Sequence, residues 1–234
     1  MKEKRYKKMF TLSFDDGTVQ DRRFVALIEK YKLKCTFNLN SGLFGTVHNI
    51  YDGDFEVCHD EVDRDEVKEL YKNHEIAVHT VTHPNLLNCT KEQIISEVYN
   101  DYLNLTPLTN KTINGMAYPG GPFYNDFVIE TILQHTPIRY ARTIASHHTF
   151  KLPENFMTWH PTCHQNDEQL MKLAEDFIGA TPDRDLLFYL WGHTFEFDTH
   201  NNWDAFEDFC RLISGHDDIF YMTNGEVYEY ISSK

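Results

Sequence analysis

The stretch TLSFDDGTVQD, residues 11–21, sets two adjacent carboxylates and a glycine at the end of a predicted β-strand. Because like charges repel, a strand that presents Asp15 and Asp16 side by side at its mouth usually has a cation close by. The stretch therefore predicts a metal site, and the other ligands have to come from elsewhere in the chain.

Short apolar runs alternate with amphipathic segments along the 234 residues. The predicted strands cover 9–14, 34–39, 75–80, 115–119, 139–144, 156–161, 186–191 and 219–223. Predicted helices, with apolar residues three and four positions apart, cover 22–31, 91–103, 126–135, 168–178 and 203–213. This alternation predicts an α/β fold, a distorted parallel (β/α) barrel of seven or eight strands, in a single catalytic domain over residues 1–234.

Charge and cysteine content limit the partners and the compartment. With 22 Lys and Arg against 36 Asp and Glu, the net charge of −14 argues against nucleic acid and against an anionic membrane surface. Five cysteines without a C-x-x-C pair argue against a disulfide framework. The basic start, residues 1–10, is predicted to be a solvated lead-in rather than a signal peptide. We therefore expect a cytoplasmic protein with a neutral or cationic substrate.

The unusual residues follow the predicted strands, where a parallel barrel carries its working side chains. His79 and His83, in VHTVTHPNL, close one strand and lie four residues apart, so a single turn can bring both imidazoles to one point. The glycine-rich YPGGPFYND, residues 118–126, follows another strand, and WGHTFEFD brings His193 to the end of a third. Together with the two aspartates, these features predict one functional rim.

These motifs resemble those of the polysaccharide deacetylases of carbohydrate esterase family 4, the NodB-homology domain. The family's T-F-D-D-G motif appears here within TLSFDDG, residues 11–17, and its H-[ST]-x-x-H motif appears as HTVTH, residues 79–83. The resemblance spans nearly the whole chain and implies a TIM-like barrel that hydrolyses carbon–nitrogen bonds of carbohydrates.

The resemblance also implies roles for individual residues. Asp15 matches the catalytic base, and Asp16, His79 and His83 match the ligands of one divalent metal ion, with zinc expected and cobalt, nickel or manganese as alternatives. His193 matches the histidine that protonates the leaving amine. A carboxylate with two imidazoles leaves open positions for water and substrate, as a catalytic metal site needs.

The substrate-binding residues are expected around the third motif and the last one. In the family, the backbone N–H that follows the third-motif proline stabilises the oxyanion, which here corresponds to Gly120 after Pro119. Tyr118, Trp191 and Glu196 are the further candidates for substrate contact.

The chain departs from the family pattern at two places. Ala117 stands where many members have an arginine that orients the catalytic aspartate, and Arg142, at the end of the neighbouring predicted strand, is our candidate to replace it. The fourth-motif aspartate and tryptophan that support the acid histidine are not recognisable. Their replacement stays open among Trp159, His160, His164 and Asp167.

The sequence thus predicts a metal-dependent hydrolase of a non-peptide C–N bond, acting on an N-acetylated sugar or oligosaccharide. One alternative is a hydrolase of another small amide, a cyclic ureide or an imide, on the same site. A second alternative, prompted by the missing arginine, is a weakly catalytic protein that binds glycans.

Overall fold

The computed structural model describes residues 7–234. Ten strands lie in this range: β1 Lys8–Asp16, β2 Cys35–Leu39, β3 Asn49–Asp52, β4 Phe55–Cys58, β5 Glu75–Val78, β6 Gly115–Ala117, β7 Tyr140–Arg142, β8 Cys163–His164, β9 Leu186–His193 and β10 Ile219–Tyr221. The α-helices are α1 Asp21–Lys30, α2 Arg64–Leu70, α3 Lys91–Leu105, α4 Asp126–His135, α5 Leu170–Gly179, α6 Glu196–Thr199, α7 Trp203–Ile213 and α8 Asn224–Ser232. Short 3-10 helices cover Leu86–Asn88, Thr106–Leu108 and Phe156–Thr158. Among the residues so described, no helix has both the length and the apolar character needed to cross a membrane.

A curved parallel sheet forms the centre of the fold. Its strand order is β7-β6-β5-β2-β1-β9-β8, and β10 lies beside the first residues of β1. The gap between the ends of this path is spanned by an irregular segment: Trp159 makes an isolated bridge with Arg142, and the Thr162 N–H donates to the Tyr189 carbonyl at 2.8 Å. The predicted α/β fold, a distorted parallel (β/α) barrel, is confirmed.

One side of β1 packs against the surrounding helices. Phe10, Leu12 and Phe14 are fully buried on this side, and the Phe14 ring lies 4.1 Å from Phe24 of α1 and 6.1 Å from Phe206 of α7, measured between centroids. Burial of such side chains supplies about 1.5–3 kcal/mol each and holds the helices to the sheet.

The opposite side of β1 faces the barrel interior and becomes polar toward the functional rim. Thr11 donates to Asn224 at 2.8 Å, and the Asn38 side chain donates to Ser13 at 2.9 Å and to Asp15 at 2.8 Å. Because side chains alternate along a strand, the apolar pattern that packs the helices also turns Asp15 inward.

The strand predicted over 156–161 is wrong. The Asn155 side chain accepts a hydrogen bond from the Met157 N–H, which starts the 3-10 helix Phe156–Thr158. Pro161 has no N–H to contribute to a ladder. Segment 156–161 therefore pairs with β7 only through the isolated bridge between Trp159 and Arg142.

Several elements were not predicted. The hairpin of β3 and β4 turns at Gly53 and Asp54, and a glycine with positive φ (+61°) at the first position of a two-residue turn is a recognised hairpin signal. Helix α8 begins with a capping box between Thr223 and Glu226, again a readable signal. Helix α2 and the two-residue strand β8 were also missed.

The predicted solvated lead-in is only partly testable, because residues 1–6 lie outside the described residues. Lys8 contradicts the prediction, since it opens β1 and is 1% exposed. Its ammonium donates to the Ile178 carbonyl at 2.7 Å and to Asp218 at 2.8 Å, which satisfies the buried charge.

Candidate active site

The strand ends bring the predicted site residues to one rim. In the sheet register Asp15 of β1 lies opposite Asn38 of β2 on one side and His193 of β9 on the other. Likewise, Ala117 of β6 lies opposite Arg142 of β7. The sheet pairing alone therefore aligns a base candidate with an acid candidate.

The backbone at this rim is strained. Asp16, Thr80 and His83 have φ values of +77°, +71° and +58°, in the left-handed region that non-glycine residues rarely adopt. Each such residue costs about 1–3 kcal/mol and persists where surrounding contacts hold it, which is common at functional sites. The Thr80 hydroxyl accepts a hydrogen bond from the His83 N–H at 3.1 Å.

Three side chains form a potential metal centre. The Oδ1 atom of Asp16 lies 3.5 Å from the Nε2 atom of His79 and 3.7 Å from the Nε2 atom of His83. All three ligand atoms lie within 4.8 Å of one another. One carboxylate oxygen and two imidazole nitrogens are a donor set that suits zinc and related divalent ions.

The hydrogen bonding of His79 supports a cation at this centre. Its Nδ1 atom donates to the Ala117 carbonyl at 2.9 Å, which leaves Nε2 directed at the Asp16 carboxylate. Burial lowers the pKa of His79 to about 4, so at neutral pH the imidazole is uncharged and Nε2 carries a lone pair. A lone pair facing a carboxylate oxygen is unfavourable unless a cation lies between them, and neutral imidazole is the form that binds metal.

Two neighbours hold the base candidate, Asp15, which is 3% exposed. Asn38 donates to its Oδ1 atom, while the Arg142 guanidinium donates to Oδ2 and forms a buried ion pair with it. The contact expected from the sequence between Arg142 and Asp15 is therefore present. The carbon of the guanidinium lies 4.4 Å from the centre of the Trp191 ring, so the guanidinium is also held by cation–π contact.

The acid candidate, His193, lies on the other side of the same carboxylate. Its Nε2 atom is 3.9 Å from Asp15 Oδ2, and its Nδ1 atom is 2.7 Å from the Glu196 carboxylate. Burial opposes protonation of the imidazole, but the hydrogen bond to Glu196 and the charges of nearby aspartates raise the pKa of His193 to about 9. The imidazole is thus protonated at neutral pH, as a proton donor requires.

Glu196 lies where the missing fourth-motif partner of the acid would be needed. Besides facing His193, its carboxylate accepts a hydrogen bond from Asn166 at 2.7 Å and lies 3.4 Å from His164 Nε2. The sequence analysis assigned Glu196 to substrate contact, a role that remains a prediction, and the structure gives both of its oxygens polar partners within the protein.

Of the four candidates for that partner, only His164 approaches the acid, and it does so through Glu196. Trp159 packs in the barrel interior. His160 contacts the Thr143 hydroxyl, and Asp167 pairs with His148 at 2.6 Å.

The remaining predicted substrate residues lie beside the metal centre or beneath it. Gly120 is exposed, with φ at +69°, and a Cβ atom there would stand 3.7 Å from the His83 ring. Pro119 is buried. The buried Tyr118 hydroxyl donates to the Met157 carbonyl at 2.9 Å, so its hydrogen bond is made within the protein rather than to a substrate.

Trp191 offers little surface to a sugar. It is 8% exposed, with Arg142 over its ring and the His164 ring edge-on at 4.6 Å. Its observed contacts hold the guanidinium that binds the base candidate.

Sequence reasoning missed two residues at this rim, His59 and Glu61. His59 lies 3.3 Å from the second oxygen of Asp16, and Glu61 lies 3.3 Å from the other ring nitrogen of His59. Both follow the unpredicted hairpin, and no motif marks them in the sequence.

A comparison with known protein families matches residues 2–141 to the family described as polysaccharide deacetylase. This match covers more than half of the 234 residues. The chain belongs to the polysaccharide deacetylase family. A comparison with curated proteins finds no significant match.

Solved structures of other polysaccharide deacetylase and esterase domains share the fold. The carbohydrate esterase family 4 domain of a multidomain xylanase, from the hindgut metagenome of Trinervitermes trinervoides, matches with a TM-score of 0.60 at 15% identity, over 97% of this chain and 92% of that chain. A family 4 acetyl xylan esterase from Clostridium thermocellum, in complex with a cobalt ion, matches with a TM-score of 0.59 at 13% identity, over 96% and 92% of the two chains.

A family 4 pseudoenzyme from Bacillus anthracis also matches, with a TM-score of 0.53 at 15% identity, over 89% of this chain and 61% of that chain. Membership of the polysaccharide deacetylase family supports carbohydrate deacetylase activity. The pseudoenzyme shows that this fold does not by itself ensure catalysis, which depends on the residues at the site.

Proposed function

We propose that the chain is a metal-dependent deacetylase of N-acetylated sugars or oligosaccharides. The observation that carries this proposal is the pairing of Asp15 with His193, whose carboxylate oxygen and imidazole nitrogen are 3.9 Å apart beside the trio of Asp16, His79 and His83. A base, an acid and a cation-binding trio around one gap are the groups that amide hydrolysis needs.

Asp16, His79 and His83 would hold one divalent ion, for which we propose zinc. Such an ion supplies Lewis acidity, which polarises the acetamide carbonyl and makes a bound water more acidic. The buried, uncharged imidazole of His79 and the ionised Asp16 are the forms that bind it. A cobalt-bound relative makes cobalt a reasonable alternative.

The protein side chains move two protons in the proposed reaction. Asp15 accepts a proton as the water oxygen forms its bond to the acetyl carbon. His193 then donates its Nε2 proton to the amide nitrogen as the C–N bond breaks, which releases acetate and a free amine. The Glu196 carboxylate keeps the Nδ1 proton of His193 in place, so that Nε2 faces the substrate.

Gly120 is proposed to stabilise the oxyanion through its backbone N–H. Its positive φ favours glycine, because a larger side chain would be strained there and its Cβ atom would stand only 3.0 Å from the Phe123 ring.

The alternative of a weakly catalytic glycan-binding protein depended on the missing third-motif arginine. Arg142 supplies a guanidinium to the same carboxylate from the adjacent strand, which removes that reason. Hydrolysis of another small amide, a cyclic ureide or an imide would use the same groups. An assay with each class of substrate distinguishes that activity from the deacetylation of sugars.

The test of the proposed function is a substrate panel with the metal-loaded protein. We expect acetate release from N-acetylglucosamine or its oligomers, and no turnover of cyclic ureides or imides. Turnover confined to the ureides and imides would replace the proposal with the first alternative, and binding of the oligomers without any turnover would replace it with the second.

Arg142→Lys is expected to lower kcat by about tenfold or more with metal content unchanged. A lysine can offer the Asp15 carboxylate only a point charge, whereas the guanidinium offers directed N–H groups in a planar fork and packs on Trp191. The measurement is kcat together with elemental analysis.

The double variant Arg142→Lys, Ala117→Arg should recover part of the loss of kcat, because these positions are paired in the sheet. Parent-like kcat in Arg142→Lys would show that Asp15 does not need this partner.

Glu196→Gln is expected to shift the alkaline limb of the pH–rate profile to lower pH. The acid must be protonated to act, so activity falls as pH rises through the pKa of His193, which Glu196 helps to raise to about 9. Without that charge the pKa moves toward its ordinary value, and the loss of rate grows with pH. Profiles of kcat for the two proteins provide the measurement, and superimposable alkaline limbs would contradict the role of Glu196.

A further inference from the structure

We propose that His59, held by Glu61, is a positioning residue that fixes Asp16 as a ligand through one oxygen only. The inference rests on the proposed function, because it concerns the metal centre of Asp16, His79 and His83. It assigns roles to two residues that match no motif of the family resemblance.

The two oxygens of Asp16 face different partners. Oδ1 faces His79 and His83 at 3.5 and 3.7 Å, whereas Oδ2 lies 3.3 Å from the Nε2 atom of His59. A hydrogen bond from His59 to Oδ2 leaves Oδ1 as the free ligand atom and prevents the carboxylate from rotating. A cation at the centre therefore meets one oxygen in a fixed direction.

Glu61 supplies the second half of the argument. Its side chain is 1% exposed, and among the described residues neither of its oxygens has a hydrogen-bond donor with good geometry. The Nδ1 atom of His59 lies 3.3 Å from its Oε1 atom. A buried carboxylate is costly unless it is paired, and His59 is the partner within reach of this one. One ring nitrogen of His59 thus faces the Glu61 carboxylate while the other faces Asp16.

The backbone places His59 at this point independently of its side chain. Residues 60–62 run beside the turn that follows Asp16: the Val19 N–H donates to the Asp60 carbonyl at 2.8 Å, and the Val62 N–H donates to the Gly17 carbonyl at 2.9 Å. Residues 60–62 are thus hydrogen-bonded to the backbone that directly follows Asp16. A substitution of the His59 side chain need not displace this segment.

Aromatic packing fixes the plane of the His59 ring. Its centroid lies 4.8 Å from the Phe195 ring and 5.1 Å from the His48 ring, and the residue is only 9% exposed. The imidazole is consequently hydrogen-bonded to Asp16 at one ring nitrogen, faces Glu61 with the other and is held by ring contacts, as a supporting partner of a metal ligand should be.

The experiment measures the zinc dissociation constant by competition with a chelating dye, and the melting temperature of the metal-free protein. His59→Leu is expected to weaken zinc binding by about 10- to 100-fold, the usual cost of losing such a partner. His59→Gln retains an N–H donor and should stay within a few-fold of the parent, while Glu61→Gln should weaken binding in the same direction as His59→Leu. His148→Leu is the matched control, because this exposed histidine pairs with Asp167 and is placed neither beside His59 nor at the metal centre; its zinc affinity should match the parent.

Weaker zinc binding in His59→Leu, rescue in His59→Gln and similar melting temperatures of the metal-free proteins would support the inference. Parent-like or tighter zinc binding in His59→Leu would overturn it, as would equal losses in the Leu and Gln variants. If the parent binds zinc and releases acetate, and His59→Leu binds zinc as tightly as the parent does, this inference alone is overturned. A parent that binds no zinc would overturn the proposed function as well.

Discussion

Asp15→Asn is expected to lower kcat by about 10²- to 10⁴-fold, the range associated with loss of a general base. Asparagine has nearly the shape of aspartate and can still contact Asn38 and Arg142, but its amide cannot accept the proton of the attacking water. Because Asp15 is only 3% exposed, bulk water cannot substitute efficiently for the missing carboxylate. The measurement is acetate release at saturating substrate.

Metal content separates this effect from damage to the centre. Asp15 is not one of the three proposed ligands, so elemental analysis should find the same ion content in the variant and in the parent. Near-parent kcat would show that another group acts as the base. A variant that had lost the ion would instead assign Asp15 to the metal centre.

The second large effect is expected from the ligands themselves. Asp16→Ala, His79→Ala and His83→Ala should each release the ion and reduce acetate formation to background, because two remaining side chains cannot hold a divalent cation tightly. The loss of affinity should exceed the about 10- to 100-fold cost of removing a supporting partner.

His148→Ala is a suitable control for these variants. This histidine pairs with Asp167 and is not part of the trio, so its removal should leave metal content and turnover unchanged. Retention of the ion at parental level by any of the three ligand variants would contradict that ligand assignment.

The sequence was informative where a residue type and a periodic pattern agreed. The aspartate pair, the histidine pair and His193 each follow a strongly apolar strand, and a parallel sheet necessarily brings such strand ends to one rim. The Arg142 contact was also predictable, since adjacent strands in a parallel sheet place residues of matched register side by side.

Other features depend on tertiary contacts that leave no periodic signal. The segment 156–161 is apolar enough for a strand, but the Asn155 turn and Pro161 prevent a ladder. His59 reaches the site through backbone pairing between residues 60–62 and 17–19, which neither segment encodes by itself. The hydrogen bond of Glu196 to His193, three residues earlier, depends on how the chain turns after β9, and the sequence predicted only substrate contact for Glu196.

We propose that this chain deacetylates a carbohydrate with the help of a bound divalent ion. The most direct test is acetate release from N-acetylglucosamine oligomers by the zinc-loaded protein, after removal of the ion by a chelator, and after zinc is returned. We expect turnover to fall to background on chelation and to recover with zinc. Turnover that is unchanged after complete removal of the ion, or no acetate from any N-acetylated sugar at full zinc occupancy, would contradict it.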